Sequence, residues 1–97
     1  IAFVAESQIN ALTLRTFGYP GIALFGTGSE HQYEVLKKSG IRNYVLCFDG
    51  DEAGEHGGQR FRKHMPKDVF ITEIKLPAGK DVNDLTKEEF DYLLQTS

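Results

Sequence analysis

Two aspartates separated by a single glycine, Asp49 and Asp51, directly follow the apolar segment 44–48. Two carboxylates about 4 Å apart repel each other by roughly 4 kcal/mol at an effective dielectric constant of about 20. A hard divalent cation removes this penalty, and Mg²⁺ is usually held by one or two carboxylates, several waters and the phosphates of a substrate. The spacing therefore indicates phosphate chemistry supported by Mg²⁺ or Mn²⁺.

Further oxygen donors occur at other points of the chain. Glu6 comes directly after the apolar residues 1–5, and Asp81, Asn83 and Asp84 lie in the last polar loop. With the aspartate pair, these side chains offer enough oxygen atoms for two metal ions, the arrangement that holds the attacking and leaving oxygens in phosphoryl transfer. The alternative is that each acid only caps a helix N-terminus, where the helix dipole also favours carboxylates.

The alternation of apolar segments and helical patterns predicts four repeats of a strand followed by a helix. The strands are expected near residues 1–5, 22–25, 44–48 and 69–76, and the helices near 7–17, 29–39, 53–64 and 86–94. This pattern implies one α/β domain with a mostly parallel, doubly wound sheet, whose last strand lies at an edge. Ligands bind beyond the carboxyl ends of strands in such sheets, so the candidate acids are predicted to meet at one edge.

Two helices carry local patterns that can be tested. In the first helix, apolar residues recur with helical spacing at Ile9, Leu12 and Phe17, with Ala11 and Thr16 alongside. In the third helix, Gly54, Gly57 and Gly58 each cost about 1 kcal/mol relative to alanine. A sequence that keeps three such residues predicts close packing or a functional contact along this helix.

Composition and charge exclude several classes of protein. No apolar run approaches the roughly 20 residues that cross a bilayer, and no signal peptide is visible. Cys47 is the only cysteine, which excludes an internal disulfide and favours a reducing, cytoplasmic setting. The net charge of −3 argues against a domain that holds nucleic acid by its own bulk charge. Because Ile1 opens inside an apolar run, we expect the 97 residues to be one domain of a longer protein.

Several residues are weaker candidates for contacts with nucleotides or nucleic acid. Gly26 and Thr27 lie in a glycine-rich loop whose backbone N–H groups could approach a phosphate. Arg60, with Arg62, Lys63 and Lys67, forms a basic cluster on and after the third helix, and Lys80 lies in the last polar loop. Contact with a phosphate backbone is one interpretation of these cations, and an ordinary solvated surface is the other.

Four segments of the chain resemble, in order, the motifs of the Toprim domain in bacterial DNA primases and phage primase–helicases. They are residues 4–10, 24–27, 45–54 and 76–84. The segment 45–54, which contains both aspartates and Gly54, is the most specific of the four. The resemblance covers nearly the whole chain.

This resemblance implies a Rossmann-like, three-layer α/β fold that binds Mg²⁺ or Mn²⁺. By carry-over, the catalytic residues are Glu6, Asp49 and Asp51, and Asp81 and Asn83 complete the metal set. The implied activity is template-directed synthesis of RNA primers for DNA replication. The implied partners are a single-stranded DNA template, nucleoside triphosphates and a replicative helicase, either separate or fused, with no membrane involved.

Departures from the family pattern leave two alternatives open. Asn10 and Asn83 stand where aspartates are common in the family, and Glu55 stands where a basic residue is often found. Compared with aspartate, both asparagines lack the negative charge but keep a side-chain oxygen that can serve as a ligand. A Toprim nuclease would use the same acids to cleave a strand, whereas a non-catalytic Toprim-like module of a recombination or mobile-element protein would not need them.

Overall fold

Four strands and four helices alternate along the chain in the computed structural model, which describes residues 1–24 and 30–97. The strands are β1 (Ala2–Ala5), β2 (Gly21–Ala23), β3 (Asn43–Leu46) and β4 (Phe70–Glu73). The helices are α1 (Gln8–Thr16), α2 (Glu30–Lys38), α3 (Glu52–His64) and α4 (Lys87–Gln95). A short 3₁₀ helix, Val82–Asp84, precedes α4. The predicted loop with Gly26 and Thr27 lies outside the described residues.

The strands form one parallel sheet in the order β2-β1-β3-β4. β1 and β3 are the central pair, with Val4 opposite Leu46. β4 is an edge strand, as its weak alternation predicted, and its last residue, Glu73, also lies opposite Leu46. Because all strands run in one direction, the loops after β1, β3 and β4 meet at the same edge of the sheet.

Two apolar cores, one on each face of the sheet, give the predicted three-layer fold. Val4 and Leu46 point to the face covered by α2 and α3, whose Phe61 is fully buried. Phe3 and Val45 point to the opposite face, covered by α1 and α4. Neighbouring residues of a strand point to opposite faces, so β1 and β3 are apolar throughout because both faces are covered.

The apolar spacing that predicted α1 marks its buried face only in part. Ile9 and Leu12 are 64% and 57% exposed, whereas Phe17 packs against the core and the helix buries Asn10, Ala11 and Leu14. Ala11 and Leu14 lie close to β2, where a Cβ at Gly21 would lie 2.5 Å from the Ala11 carbonyl oxygen. The close approach of α1 to β2 therefore determines which of its side chains are buried.

Cys47 is fully buried on the face covered by α1 and α4, as predicted for a strand residue. Burial raises the pKa of its thiol far above the ordinary value, so the group stays protonated and unreactive. No helix in the described ranges is both long and apolar enough to span a membrane.

Candidate metal centre

Glu6 and Asp49 leave the carboxyl ends of the two central strands side by side. The backbone N–H of Asp49 donates a hydrogen bond to Glu6 Oε1 at 3.1 Å. Ser7, the next residue, caps α1 by accepting from the Asn10 N–H, so the chain turns into the helix directly after Glu6. Strand pairing therefore sets the separation of these two acids, and helix capping fixes where Glu6 leaves the sheet.

Asp51 is the N-cap of α3, and its Oδ1 accepts from the Gly54 N–H at 2.8 Å. The proposal that the acids cap helices is therefore correct for this residue. Capping uses one of the two carboxylate oxygens, and Asp51 remains exposed. A capping carboxylate held in this way keeps an oxygen for a cation, so the two roles are compatible.

The loop 77–84 is tied to the aspartate pair through backbone hydrogen bonds. The Gly50 N–H donates to the Lys80 carbonyl at 2.9 Å, and the Gly79 N–H donates to the Gly50 carbonyl at 2.8 Å. Asp81 then caps the 3₁₀ helix in a reciprocal capping box with Asp84, both bonds measuring 3.1 Å. This bracing holds the Asp81 and Asp84 carboxylates near Asp49, and their negative charges disfavour the ionised form of Asp49.

Glycine is required where the two loops and α3 approach one another. A Cβ at Gly50 would lie 2.2 Å from the Pro77 carbonyl oxygen, and one at Gly54 would lie 2.0 Å from the Asp49 carbonyl oxygen. Both contacts are with backbone, which cannot move aside as a flexible side chain could. The predicted close packing of α3 is confirmed at Gly54, where it presses the helix N-terminus against the aspartate motif.

The negative charge of each carboxylate in this group disfavours ionisation of its neighbours. Burial raises the pKa of Asp49, and the charges of Asp81, Asp51 and Asp84 raise it further. Burial also raises the pKa of Glu6, partly offset by the bond from the Asp49 N–H. Asp49 Oδ1 is buried and makes no hydrogen bond with any described residue. An unpartnered carboxylate oxygen among like charges is a position at which a cation would be stabilised.

These donors fit a hard divalent cation. All are carboxylate oxygens, the ligands that Mg²⁺ and Mn²⁺ prefer, and the unpartnered oxygen belongs to Asp49, on which the charges of three other aspartates act. Within residues 1–24 and 30–97, no three His, Cys, Asp or Glu side chains enclose a metal site by themselves. An ion held here would therefore take part of its coordination shell from water or from substrate phosphates.

Asn83 and Asn10 are engaged in bonds between α1 and the acidic loop. The Asn83 N–H donates to Asn10 Oδ1 at 3.2 Å, and Asn10 is only 3% exposed. The Thr13 hydroxyl lies 3.1 Å from Asn83 Oδ1 and 3.0 Å from the Ile9 carbonyl, so it can donate to either. Metal binding by Asn83 stays a prediction. The bracing role of Asn10 was not predicted, because only the fold brings α1 to this loop.

The predicted cationic contacts do not gather at the acids. Burial raises the pKa of Tyr33 on α2, and the nearby charge of Arg60 lowers it by a smaller amount. Lys80 is exposed, and its charge acts on Glu89 of α4. Nucleic-acid contacts by these two residues stay predictions.

A cleft of about 420 Å³ opens beside Asp49 and Asp51, between α3 and the chain segment that continues β4. Glu55, Gln59 and Arg62 line its α3 wall. The sequence pointed to Arg62 only as part of the basic cluster and to Glu55 only as a departure from the family pattern, although the spacing of four and three residues places the three side chains on one face of a helix. The cleft thus extends from Asp49 and Asp51 to Arg62, a cation of α3 other than Arg60.

Comparison with known proteins gives a family match and relatives with more than 30% identity. The family described as Toprim-like matches residues 3–86. Uncharacterized protein MG010 of Mycoplasma genitalium is 36% identical over 88 residues, which cover 86% of this chain. The chain spans 40% of the length of that relative.

Two solved structures share the fold. The zinc-binding and RNA polymerase domains of the Aquifex aeolicus primase match with a TM-score of 0.80 at 23% identity, covering 99% of this chain and 25% of that one. The primase fragment of the bacteriophage T7 primase–helicase protein matches with a TM-score of 0.68 at 22% identity, covering 98% and 42%. These matches confirm the predicted α/β architecture.

Proposed function

Because this chain belongs to the Toprim-like family and shares its fold with primase catalytic cores, we propose that it is the metal-binding core of a DNA primase. The reaction would be template-directed joining of ribonucleotides into RNA primers. The observation that carries the proposal is the Asp49 carboxylate, which has an unpartnered buried oxygen and is surrounded by the charges of three other aspartates.

The proposed ligands of Mg²⁺ or Mn²⁺ are Glu6, Asp49, Asp51 and Asp81, with Asn83 as a further candidate. A bound ion would neutralise the charge that develops on a reacting phosphate. The chain itself supplies the geometry: Glu6 accepts the Asp49 N–H, and Asp51 is held by the N-terminus of α3. Glu6 and Asp51 are thus each oriented by a backbone bond that does not consume both of their carboxylate oxygens.

The proposed partners are nucleoside triphosphates, a single-stranded DNA template and a replicative helicase, and the proposed setting is the cytoplasm. The T7 neighbour is a fragment of a primase–helicase protein, which supports the helicase partner by analogy of fold. With a net charge of −3, this chain is not expected to grip a template alone. We therefore expect the 97-residue chain to bind metal but to make little or no primer without further domains.

A Mn²⁺ titration followed by calorimetry tests the proposal. Saturable binding is expected for the native chain, and a loss of at least tenfold in affinity for Asp49→Asn. Asp68→Asn is the matched control, because it removes the same charge from an exposed acid that pairs with Arg42. Native-like binding by Asp49→Asn would overturn the metal centre.

A second assay separates the enzyme classes that the acids could serve. With Mn²⁺, nucleoside triphosphates and single-stranded DNA present, nicking of DNA that depends on Asp49 would replace the primase proposal with a Toprim nuclease. Absence of Mn²⁺ binding at millimolar concentration, with a nucleoside triphosphate added, would favour the non-catalytic module.

A further inference from the structure

Charged and apolar residues together line the cleft beside the acids. Asp49 and Asp51 lie at one end, and Arg62 and Lys75 line the remaining wall. Its other lining residues include Glu55 and Gln59 on α3 and Glu73 to Leu76 on the segment that leaves β4. The cleft therefore leads from the proposed metal centre toward Arg62, a residue of the basic cluster.

Arg62 is held against the cleft wall by Glu73. Arg62 Nη2 and Nε donate to the same oxygen, Glu73 Oε2, at 3.0 and 3.3 Å. The other oxygen, Glu73 Oε1, lies only 2.2 Å from the point that a Cβ at position 58 would occupy. Gly58 thus leaves space for the Glu73 carboxylate, which fixes the Arg62 guanidinium while Nη1 keeps its two donors.

Strand register fixes the position of Glu73 relative to the acids. Glu73 lies opposite Leu46 in the sheet. Leu46 precedes Asp49 by three residues, which corresponds to roughly 10 Å along an extended strand. Glu73, the ion-pair partner of Arg62, is therefore anchored on the sheet before the strand end at which Asp49 lies.

We infer that this cleft binds the phosphodiester backbone of a single nucleic-acid strand, with Arg62 as a phosphate contact whose charge Glu73 partly neutralises. The inference rests on the proposed function, which places a reacting phosphate at the acidic end. The acids of the cleft, Glu55 and Glu73 included, outnumber Arg62 and Lys75. Strand binding should consequently depend on a divalent cation.

Fluorescence anisotropy of labelled oligothymidylate and oligouridylate with the 97-residue chain tests this inference. Binding is measured with saturating Mn²⁺ and with EDTA, and Mn²⁺ affinity is measured separately in the same samples. Both oligonucleotides are used because DNA and RNA share the backbone chemistry, and the tighter one identifies the strand. We expect Mn²⁺-dependent binding that Arg62→Gln weakens roughly five- to tenfold, with the slope against salt reduced by about 0.7.

Two control variants separate phosphate contact from structural bracing. Arg42→Gln removes the same charge and also breaks a surface ion pair, with Asp68, and it should bind as the native chain does. Glu73→Gln breaks the pair but keeps Arg62, so it should bind the strand at least as well as the native chain.

Three outcomes would overturn the inference. Equal weakening by Arg62→Gln and Glu73→Gln would mean that the pair only ties α3 to β4. Equal weakening by Arg62→Gln and Arg42→Gln would mean that only net charge matters. Native Mn²⁺ binding without strand binding would refute the cleft and leave the metal centre standing, whereas loss of Mn²⁺ binding itself would refute the proposed function.

Discussion

The Asp49 N–H donates to the carboxylate of Glu6 across the two central strands, so one acid of the site helps to orient another. This bond lowers the pKa of Glu6, but burial and the charges of Asp49 and Asp51 outweigh it. The site therefore keeps its carboxylates together at the expense of stability, as sites that are completed by a cation commonly do.

Replacing Glu6 by glutamine should separate these two effects. Glu6→Gln keeps an oxygen that accepts the Asp49 N–H and removes one negative charge from the site. We expect metal-free thermal stability to rise by up to about 1 kcal/mol and Mn²⁺ affinity to fall. Thermal unfolding with and without Mn²⁺ measures both. Glu88→Gln, at an exposed residue of α4, is the control, and a similar gain there would assign the effect to net charge.

The glycine contacts predict two opposite outcomes on one helix. Gly54→Ala places a methyl group against the Asp49 backbone and should destabilise the fold by about 1–3 kcal/mol or more. Gly58→Ala meets only the movable end of Glu73, so its gain in helix propensity of about 1 kcal/mol should offset the displacement. Urea denaturation compares the two variants. Equal destabilisation would show that the Asp49 contact is not the decisive one.

Asn10 should act on the acidic loop through its buried bond. Asn10→Ala leaves the Asn83 N–H without its acceptor, which should cost about 1–3 kcal/mol and weaken Mn²⁺ binding by displacing Asp81 and Asp84. Asn83→Ala keeps that N–H and loses only the exposed contact with Thr13, so its stability should change little. If Asn83→Ala weakens Mn²⁺ binding while stability is unchanged, Asn83 is a metal ligand as predicted.

A pH effect is expected away from the metal centre, where Asp91 joins α4 to the turn before β2. Hydrogen bonds from Lys87 and Tyr19 lower the pKa of Asp91 below its ordinary value of 3.8. The stabilisation from the ionised carboxylate is therefore fully present above this value and is lost as pH falls through the lowered pKa. Asp91→Asn should be less stable than the native chain at pH 7, and the difference should vanish on acidification. A constant difference between pH 7 and pH 2 in thermal unfolding would contradict this.

The amino-acid sequence by itself was sufficient to predict the four βα repeats, the parallel sheet and the edge at which the acids meet. The apolar segments before Glu6 and Asp49 are short and continuous, and a strand buried on both faces requires that pattern. Parallel strands bring their carboxyl ends together, so the sequence alone predicts that the candidate acids lie at one edge of the sheet. Their roles as metal ligands stay predictions.

Tertiary structure decided which faces of the helices are used. Ile9 and Leu12 belong to the apolar spacing that predicted α1, but the close approach of β2 at Gly21 buries Ala11 and Leu14 instead. On α3, the sequence offered several cations, and packing turned Arg60 toward Tyr33 and Arg62 toward the cleft. Periodicity records that a helix has an apolar and a polar side, but the separation of the packed layers determines which residues fit between them.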